Sequence, residues 1–144
     1  MRFKFYYDEF ILSHHNPNEY YRCYLIKLFG KSICVCARCL GVYSFAVLSF
    51  VFYFFVSSSS SLNLVILYFF PIPAFVDWGL YKFKIWKGIN PIRTLTGAFL
   101  GITYGRLGFL FVKNPFNIHI YIVALSYIIV AFLILRISLN IKSQ

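Results

Sequence analysis

Thiols and imidazoles are concentrated in the first quarter of the chain, ahead of the first long apolar stretch. The side chains there that could ligate a soft metal ion are His14, His15, Cys23, Cys34, Cys36 and Cys39. Cys36 and Cys39 are separated by two residues, which lets both sulfurs reach one tetrahedral ion at about 2.3 Å. Thiolate together with imidazole favours zinc, while iron–sulfur ligation remains open. The pattern therefore predicts a mixed Cys/His metal site with zinc as its ion.

A β-hairpin would bring these thiols together. Residues 21–35 contain β-prone side chains on both sides of Phe29, Gly30 and Lys31, and a glycine at that point favours a hairpin turn. Folding the segment back on itself would place Cys23 near Cys34 and Cys36.

The same cysteines permit two other interpretations. If the first helix begins near Val35, Cys36 lies in its opening turn beside Arg38, where the helix dipole and the cation both favour a thiolate. Cys36 and Cys39 would then form a redox or nucleophilic pair. Alternatively the cysteines are inert, since cysteine is often a small buried side chain.

The composition places these residues in a membrane protein. Of 144 residues, 60% are hydrophobic and only 12% are charged, and the mean hydropathy is +0.74. Four acidic and fourteen basic residues cannot provide the polar surface that a soluble domain of this size requires. The apolar side chains must therefore face lipid.

Four apolar stretches approach or reach the roughly 20 residues that a helix needs to cross a bilayer. They are residues 40–56, 62–76, 94–112 and 118–135. The serine-rich residues 57–63 predict a polar turn between the first two. We therefore expect an all-α fold: a four-span helical bundle over residues 35–140, preceded by a cytoplasmic N-terminal segment, residues 1–34, that carries the Cys/His cluster.

The basic residues predict the orientation of the bundle. Twelve of the fourteen lysines and arginines lie in the N-terminal segment, in the loop after the second span, and in the C-terminal tail. Cationic flanks are retained on the cytoplasmic side, so both termini are predicted to be cytoplasmic in a cell-membrane protein. The formal charge of +10 favours contact with anionic lipid head groups. No single basic stripe is present, so binding to nucleic acid is not expected.

A second polar site is predicted at the cytoplasmic ends of the helices. Asp77 is the last acidic residue of the chain, and Arg38, Asn90 and Arg93 are expected at the same end of the bundle. A carboxylate at a membrane boundary favours a cationic partner. The alternative is that Asp77 caps a helix beside Trp78 as an interfacial anchor.

The third span carries a packing pattern. Gly97, Gly101 and Gly105 recur every four residues and predict a smooth face that another helix can approach closely. Arg106 lies next to this stripe, and we expect its side chain to extend to the outer head groups.

These residues together resemble a known family. The chain is similar to the small multipass prokaryotic membrane proteins of domain-of-unknown-function family 2085. The similarity lies in CARCLGVY at residues 36–43, SHHNP at 13–17 and DWG at 77–79, followed by Asn90 and Arg93. The resemblance implies a compact membrane protein with a Cys/His cluster before its first span, and it implies no established reaction.

Three classes of function follow from these patterns. The leading hypothesis is a non-enzymatic, metal-binding membrane protein with an accessory or sensor role. The alternatives are a membrane enzyme that uses Cys36 and Cys39 for redox or lipid-modifying chemistry, and a structural subunit of a membrane complex. No phosphate-loop, dinucleotide or HExxH motif is present, which argues against a nucleotide-driven pump. Four helices are few for a solute pathway, so transport would require a homo-oligomer or a larger complex.

Overall fold

The structure, a computed structural model, describes residues 17–28, 31–56 and 60–142. Within these ranges the fold is mostly helical, and four helical segments are long and apolar enough to cross a membrane. This confirms the predicted four-span bundle. In chain order the elements are a 3-10 turn Pro17–Arg22, strands β1 Cys23–Leu28 and β2 Lys31–Cys36, and helices α1 Ala37–Phe55, α2 Ser60–Phe69, α3 Ile72–Lys82, α4 Asn90–Lys113 and α5 Ile118–Lys142.

The predicted hairpin is present. Strands β1 and β2 pair antiparallel, and the register places Cys23 opposite Cys36. Residues 29 and 30 of the expected turn lie outside the described residues. Strand β2 leads directly into α1, which begins at Ala37, so the hairpin is attached to the end of the first span. The division between the N-terminal segment and the membrane domain stays a prediction.

The second span is built from two helices. Helix α2 ends at Phe69 and α3 begins at Ile72, with Pro71 at the break. Proline has no N–H for the helical ladder, so it interrupts the helix, but the Pro71 carbonyl accepts hydrogen bonds from Ala74 and Phe75 and the chain resumes its helical course. Pro71 therefore interrupts the helix without ending the span.

Helix boundaries differ from the sequence prediction at several places, and α5 extends to Lys142, seven residues beyond the predicted end of the fourth span. The second span continues to Lys82 and α4 already begins at Asn90, so the connecting loop contains only residues 83–89. Pro91 lies in the first turn of α4, where backbone N–H groups make no hydrogen bond within the helix, so a proline is tolerated there. Helix α2 begins at Ser60, which shortens the predicted serine turn; residues 57–59 lie outside the described part of the chain.

Helices α1 and α4 form the closest helix pair of the bundle. A Cβ added at Gly97, Gly101 or Gly105 would lie 2.4 Å from a backbone carbonyl oxygen of α1, and one at Gly41 of α1 would lie 2.2 Å from the Thr94 carbonyl oxygen. The two backbones are thus in direct contact, which confirms the predicted close approach along the glycine stripe.

The remaining helices are attached to this pair by polar contacts and aromatic packing. The Thr103 hydroxyl of α4 donates to the Ile66 carbonyl of α2 at 3.1 Å. The Ser138 hydroxyl of α5 donates to the Lys82 carbonyl at 3.2 Å, and the Tyr127 hydroxyl donates to the Leu67 carbonyl. Most side chains of α5 are exposed on the surface of the bundle and face lipid.

The expectation for Arg106 is wrong. Its side chain does not extend to the head groups but is 4% exposed, with the guanidinium carbon 4.1 Å from the centroid of the Tyr53 ring and 5.3 Å from that of Phe109. Both ring faces attract the cation. The close α1–α4 contact brings Tyr53 over Arg106, and this contact is not visible in the local sequence of α4.

Candidate functional site: a basic cleft beside a thiol cluster

A buried ion pair joins α1 to α3. Asp77 lies in the middle of α3 and is 4% exposed, and it pairs with Arg38 in the first turn of α1, whose side chain is 18% exposed. A residue in mid-helix cannot cap the helix N-terminus, so the helix-cap interpretation is wrong. The carboxylate instead has the cationic partner that its burial demands.

Arg93 is the second cation at this buried centre. It is 2% exposed, and its Nη2 donates to the Lys87 carbonyl. Its Nε and Nη1 have no hydrogen-bond partner within the described part of the chain. Arg93 is thus a buried guanidinium with spare donors beside Asp77.

Gly88 lets the loop between α3 and α4 close over these charges. Its φ is +69°, a conformation that side chains with a Cβ rarely adopt. A Cβ at Gly88 would lie 3.1 Å from Arg93 Nε and 3.4 Å from Asp77 Oδ1. Gly88 therefore lies against the Asp77 and Arg93 side chains, at a backbone conformation and spacing where a side chain with a Cβ would be strained.

The structure brings three of the four predicted polar-site residues together. Arg38 pairs with Asp77, and Arg93 lies close to this pair beside Gly88, whereas the Asn90 amide donates to the Cys23 carbonyl at 3.3 Å. The Tyr24 hydroxyl lies 3.2 Å from Thr94 Oγ1, four residues further along α4. Asn90 therefore holds the hairpin against α4 and is not part of the charge cluster.

A cleft of about 690 Å³ opens beside the ion pair, at the end of the bundle that carries the hairpin. Its lining contains five cationic side chains, one carboxylate, four aromatic rings and two thiols. These residues are Arg22, Arg38, Lys82, Lys84, Lys87, Glu19, Tyr21, Trp78, Tyr81, Trp86, Cys36 and Cys39. The excess of cations gives the cleft a strongly positive potential.

Arg22 forms one wall of this cleft and is itself buried. Its guanidinium carbon lies 3.8 Å from the centroid of the Tyr81 ring, and its Nη1 lies 3.5 Å from Glu19 Oε1. The Tyr81 hydroxyl also donates to Glu19. Arg22 Nε has no hydrogen-bond partner among the described residues, so this N–H donor is not used within that part of the protein.

Three lysines complete the cationic lining. Among the described residues, no carboxylate pairs with Lys82, Lys84 or Lys87. The loop that carries the last two also exposes apolar side chains, Ile85 and Trp86. Cations next to exposed apolar and aromatic side chains are typical of the membrane–water interface.

The four cysteines lie next to this cleft as reduced thiols. Cys23 and Cys34 are hydrogen-bonded to each other, and so are Cys36 and Cys39. Burial, reinforced by the hydrogen bond with Cys34, raises the pKa of the Cys23 thiol to about 12. Of the four, Cys36 and Cys39 line the cleft.

The structure shows no metal-ligand set in the ranges it describes. Within these ranges, no three His, Cys, Asp or Glu side chains are arranged to hold one ion. His14 and His15 fall outside the described residues. The four cysteines form two contacting pairs, Cys23 with Cys34 and Cys36 with Cys39.

Sequence reasoning did not identify Glu19, Arg22 and Tyr81 as site residues. Tyr81 meets Glu19 across 62 positions of the chain, and no local motif marks such a contact. The only available signals were the charge of Arg22 and an aromatic ring at the end of a span.

Four spanning helices and a basic cleft at one end define an integral membrane protein. A family model described as "Predicted membrane protein (DUF2085)" matches residues 22–107, which is more than half of the chain, and the protein belongs to this family. No curated protein and no solved structure matches the chain. The matched region extends from Arg22 into α4 and includes Arg38, Asp77 and Arg93.

Proposed function

We propose that this membrane protein binds the phosphate-bearing head group of an anionic lipid in the basic cleft, in a non-enzymatic accessory or sensor role. The observation that carries the proposal is the lining itself, in which five cations face a single carboxylate between aromatic walls. Charge-assisted hydrogen bonds from arginine and lysine are the strongest that a phosphate can accept.

The buried ion pair supports the cleft. Arg38 contacts Asp77 on its inner side and also lines the cleft. Because the carboxylate holds Arg38 in place, less side-chain freedom is lost when the guanidinium contacts a ligand. Arg22, stacked on Tyr81, is held in the same way.

The position of the cleft favours a lipid over a dissolved phosphate. The loop residues Ile85 and Ile89 are exposed next to Trp86, and side chains of this kind enter the interfacial region of a bilayer. The concentration of lysine and arginine at this end supports a cytoplasmic orientation, toward the leaflet that is richer in anionic lipid.

Intrinsic fluorescence tests the proposal without a label, because both tryptophans of the chain, Trp78 and Trp86, line the cleft. Purified protein in neutral detergent is titrated with short-chain phosphatidylglycerol, short-chain phosphatidylcholine and inorganic phosphate. We expect a saturable fluorescence change with phosphatidylglycerol at concentrations where the other two probes cause none. An equal response to inorganic phosphate would overturn the lipid assignment, and an equal response to phosphatidylcholine would overturn the role of charge.

A matched pair of lysine variants locates the binding site. Lys87→Gln removes one cation from the cleft but keeps the backbone carbonyl that Arg93 uses, and it should weaken phosphatidylglycerol binding about fivefold, since one lysine near an anionic surface contributes about 1 kcal/mol. Lys113→Gln removes the same charge from the opposite end of α4 and should leave binding unchanged. Equal weakening by both variants would show that binding is non-specific.

Zinc binding through the CxxC pair is a second candidate, supported by the contact between Cys36 and Cys39. The described side chains alone do not form a ligand set, so this candidate requires further ligands such as His14 and His15. Elemental analysis of the purified, reduced protein tests it. This candidate alone predicts one zinc per chain that is lost in Cys36→Ser, and a substoichiometric zinc content in the wild-type protein would remove it.

A further inference from the structure

The two cysteine pairs differ in their access to the cleft. Cys36 and Cys39 line it, and Cys39 is the less buried of the two. Cys36 is 4% exposed and Cys23 and Cys34 are each 7% exposed, so the pairs differ not in burial but in position: Cys23 and Cys34 are not among the residues that line the cleft. A reagent that enters the cleft would therefore meet Cys36 and Cys39 before the other pair.

The positions of Cys36 and Cys39 assign them different chemical roles. Cys36 is the residue before Ala37, at the N-terminus of the 19-residue helix α1, where the helix dipole stabilises a thiolate. Cys39 lies on the first turn and is hydrogen-bonded to Cys36. A protonated thiol there donates to the thiolate and is in place to attack the same sulfur later.

We propose that the cleft is a thiol–disulfide exchange site for anionic low-molecular-weight disulfides, with Cys36 as the nucleophile and Cys39 as the resolving thiol. The Cys36 thiolate attacks one sulfur of the disulfide, forms a mixed disulfide and releases one thiolate, which takes up a proton. Cys39 then loses its proton to water and attacks the Cys36 sulfur, which releases the second thiolate. In sum, two protein thiols are oxidised to one disulfide and one small disulfide is reduced to two thiols.

The lining of the cleft selects the charge of the substrate. Arg22, Lys84 and Lys87 line the same cleft as the two thiols. A positive cleft raises the local concentration and association rate of anions by about tenfold or more at low ionic strength, and it disfavours cations. This inference uses the same cations as the proposed lipid site but does not depend on lipid binding.

Two water-soluble disulfides of opposite charge test the proposal. The full-length reduced protein in neutral detergent is mixed with glutathione disulfide, which is anionic, or with cystamine, which is cationic. Disulfide formation is followed by quenched mass spectrometry with peptide mapping. We expect a Cys36–Cys39 disulfide that forms at least about tenfold faster with glutathione disulfide, with an advantage that shrinks as salt is added. Equal rates at low salt, or a disulfide that first forms in another pair, would overturn the proposal.

Cysteine variants identify the attacking sulfur. Cys39→Ser should stop the reaction at a glutathione mixed disulfide on Cys36, and Cys23→Ser should react as the wild type does. Trapping on Cys39 in Cys36→Ser at the wild-type rate would refute the assigned roles. Size-exclusion chromatography verifies that each variant is folded. Because the probes are water-soluble, failure of lipid binding would leave this assay unaffected, and failure of exchange would leave the lipid titration unaffected.

Discussion

Replacement of Asp77 by asparagine tests the buried charge cluster most directly. Asparagine keeps the shape of the side chain but removes its charge, which leaves the guanidinium groups of Arg38 and Arg93 without the carboxylate that lies between α1 and the loop. Removal of one partner of a buried ion pair costs about 3 to 5 kcal/mol. Since the Arg38 side chain retains 18% exposure and some contact with water, we expect a loss of unfolding free energy near the lower value, about 3 kcal/mol.

The assay is equilibrium unfolding in mixed micelles of neutral detergent and dodecyl sulfate, followed by tryptophan fluorescence and helical circular dichroism. A double-mutant cycle with Arg38→Gln isolates the interaction. The double variant should be more stable than the sum of the two single effects predicts, by about 2 kcal/mol, because neither charge is then left alone. A loss below about 1 kcal/mol in Asp77→Asn, or strict additivity in the cycle, would refute the assignment of Asp77 as the structural partner of Arg38.

Two further predictions concern the helix contact and the hairpin. Gly101→Ala should lower the free energy of unfolding by about 1 to 3 kcal/mol, because the added Cβ would lie 2.4 Å from the Val42 carbonyl oxygen. The control Gly108→Ala should be nearly neutral, because its Cβ would meet only the edge of the Phe50 ring at 3.4 Å. The pKa of Cys23 is raised from 9.0 to about 12, so the unfolded chain releases this proton first and stability should fall as the pH rises through this window. Relative to Cys23→Ala the loss should approach about 1.4 kcal/mol per pH unit, and parallel pH profiles of the two proteins would contradict it.

The fold was predictable because lipid imposes simple rules. Composition and the lengths of the apolar stretches are sufficient to predict four spans, and a glycine every fourth residue marks the face on which α4 packs. Helix ends were less predictable. The sequence predicts that Asp77 lies at the end of a span, since a carboxylate is costly in a membrane. In the structure Arg38, 39 residues earlier in the chain, pairs with the carboxylate, and the helix continues past Asp77.

The candidate site could be predicted only in part. Arg38, Asp77 and Arg93 were found because they are charged and lie near helix ends on one side of the bundle. The roles of Arg22 and Tyr81 depend on how the hairpin folds over α3, and the burial of Arg106 depends on Tyr53 from another span. These are long-range contacts, and no local periodicity encodes them.

The glycine contact between α1 and α4 has a consequence for biogenesis. Spans enter the bilayer in the order of their synthesis. Helices α2 and α3, which together form the second span, are therefore inserted after α1 and before α4. Until the ribosome has delivered α4, the carbonyl oxygens of Val42 and Ala46 have no glycine face against which to pack. Arg38, Asp77 and Arg93 come from α1, α3 and α4, so the nascent chain completes its charged centre only when α4 is delivered. A product truncated before α4 would contain membrane-inserted helices and the residues that line the cleft, but it would lack Arg93 and the glycine face.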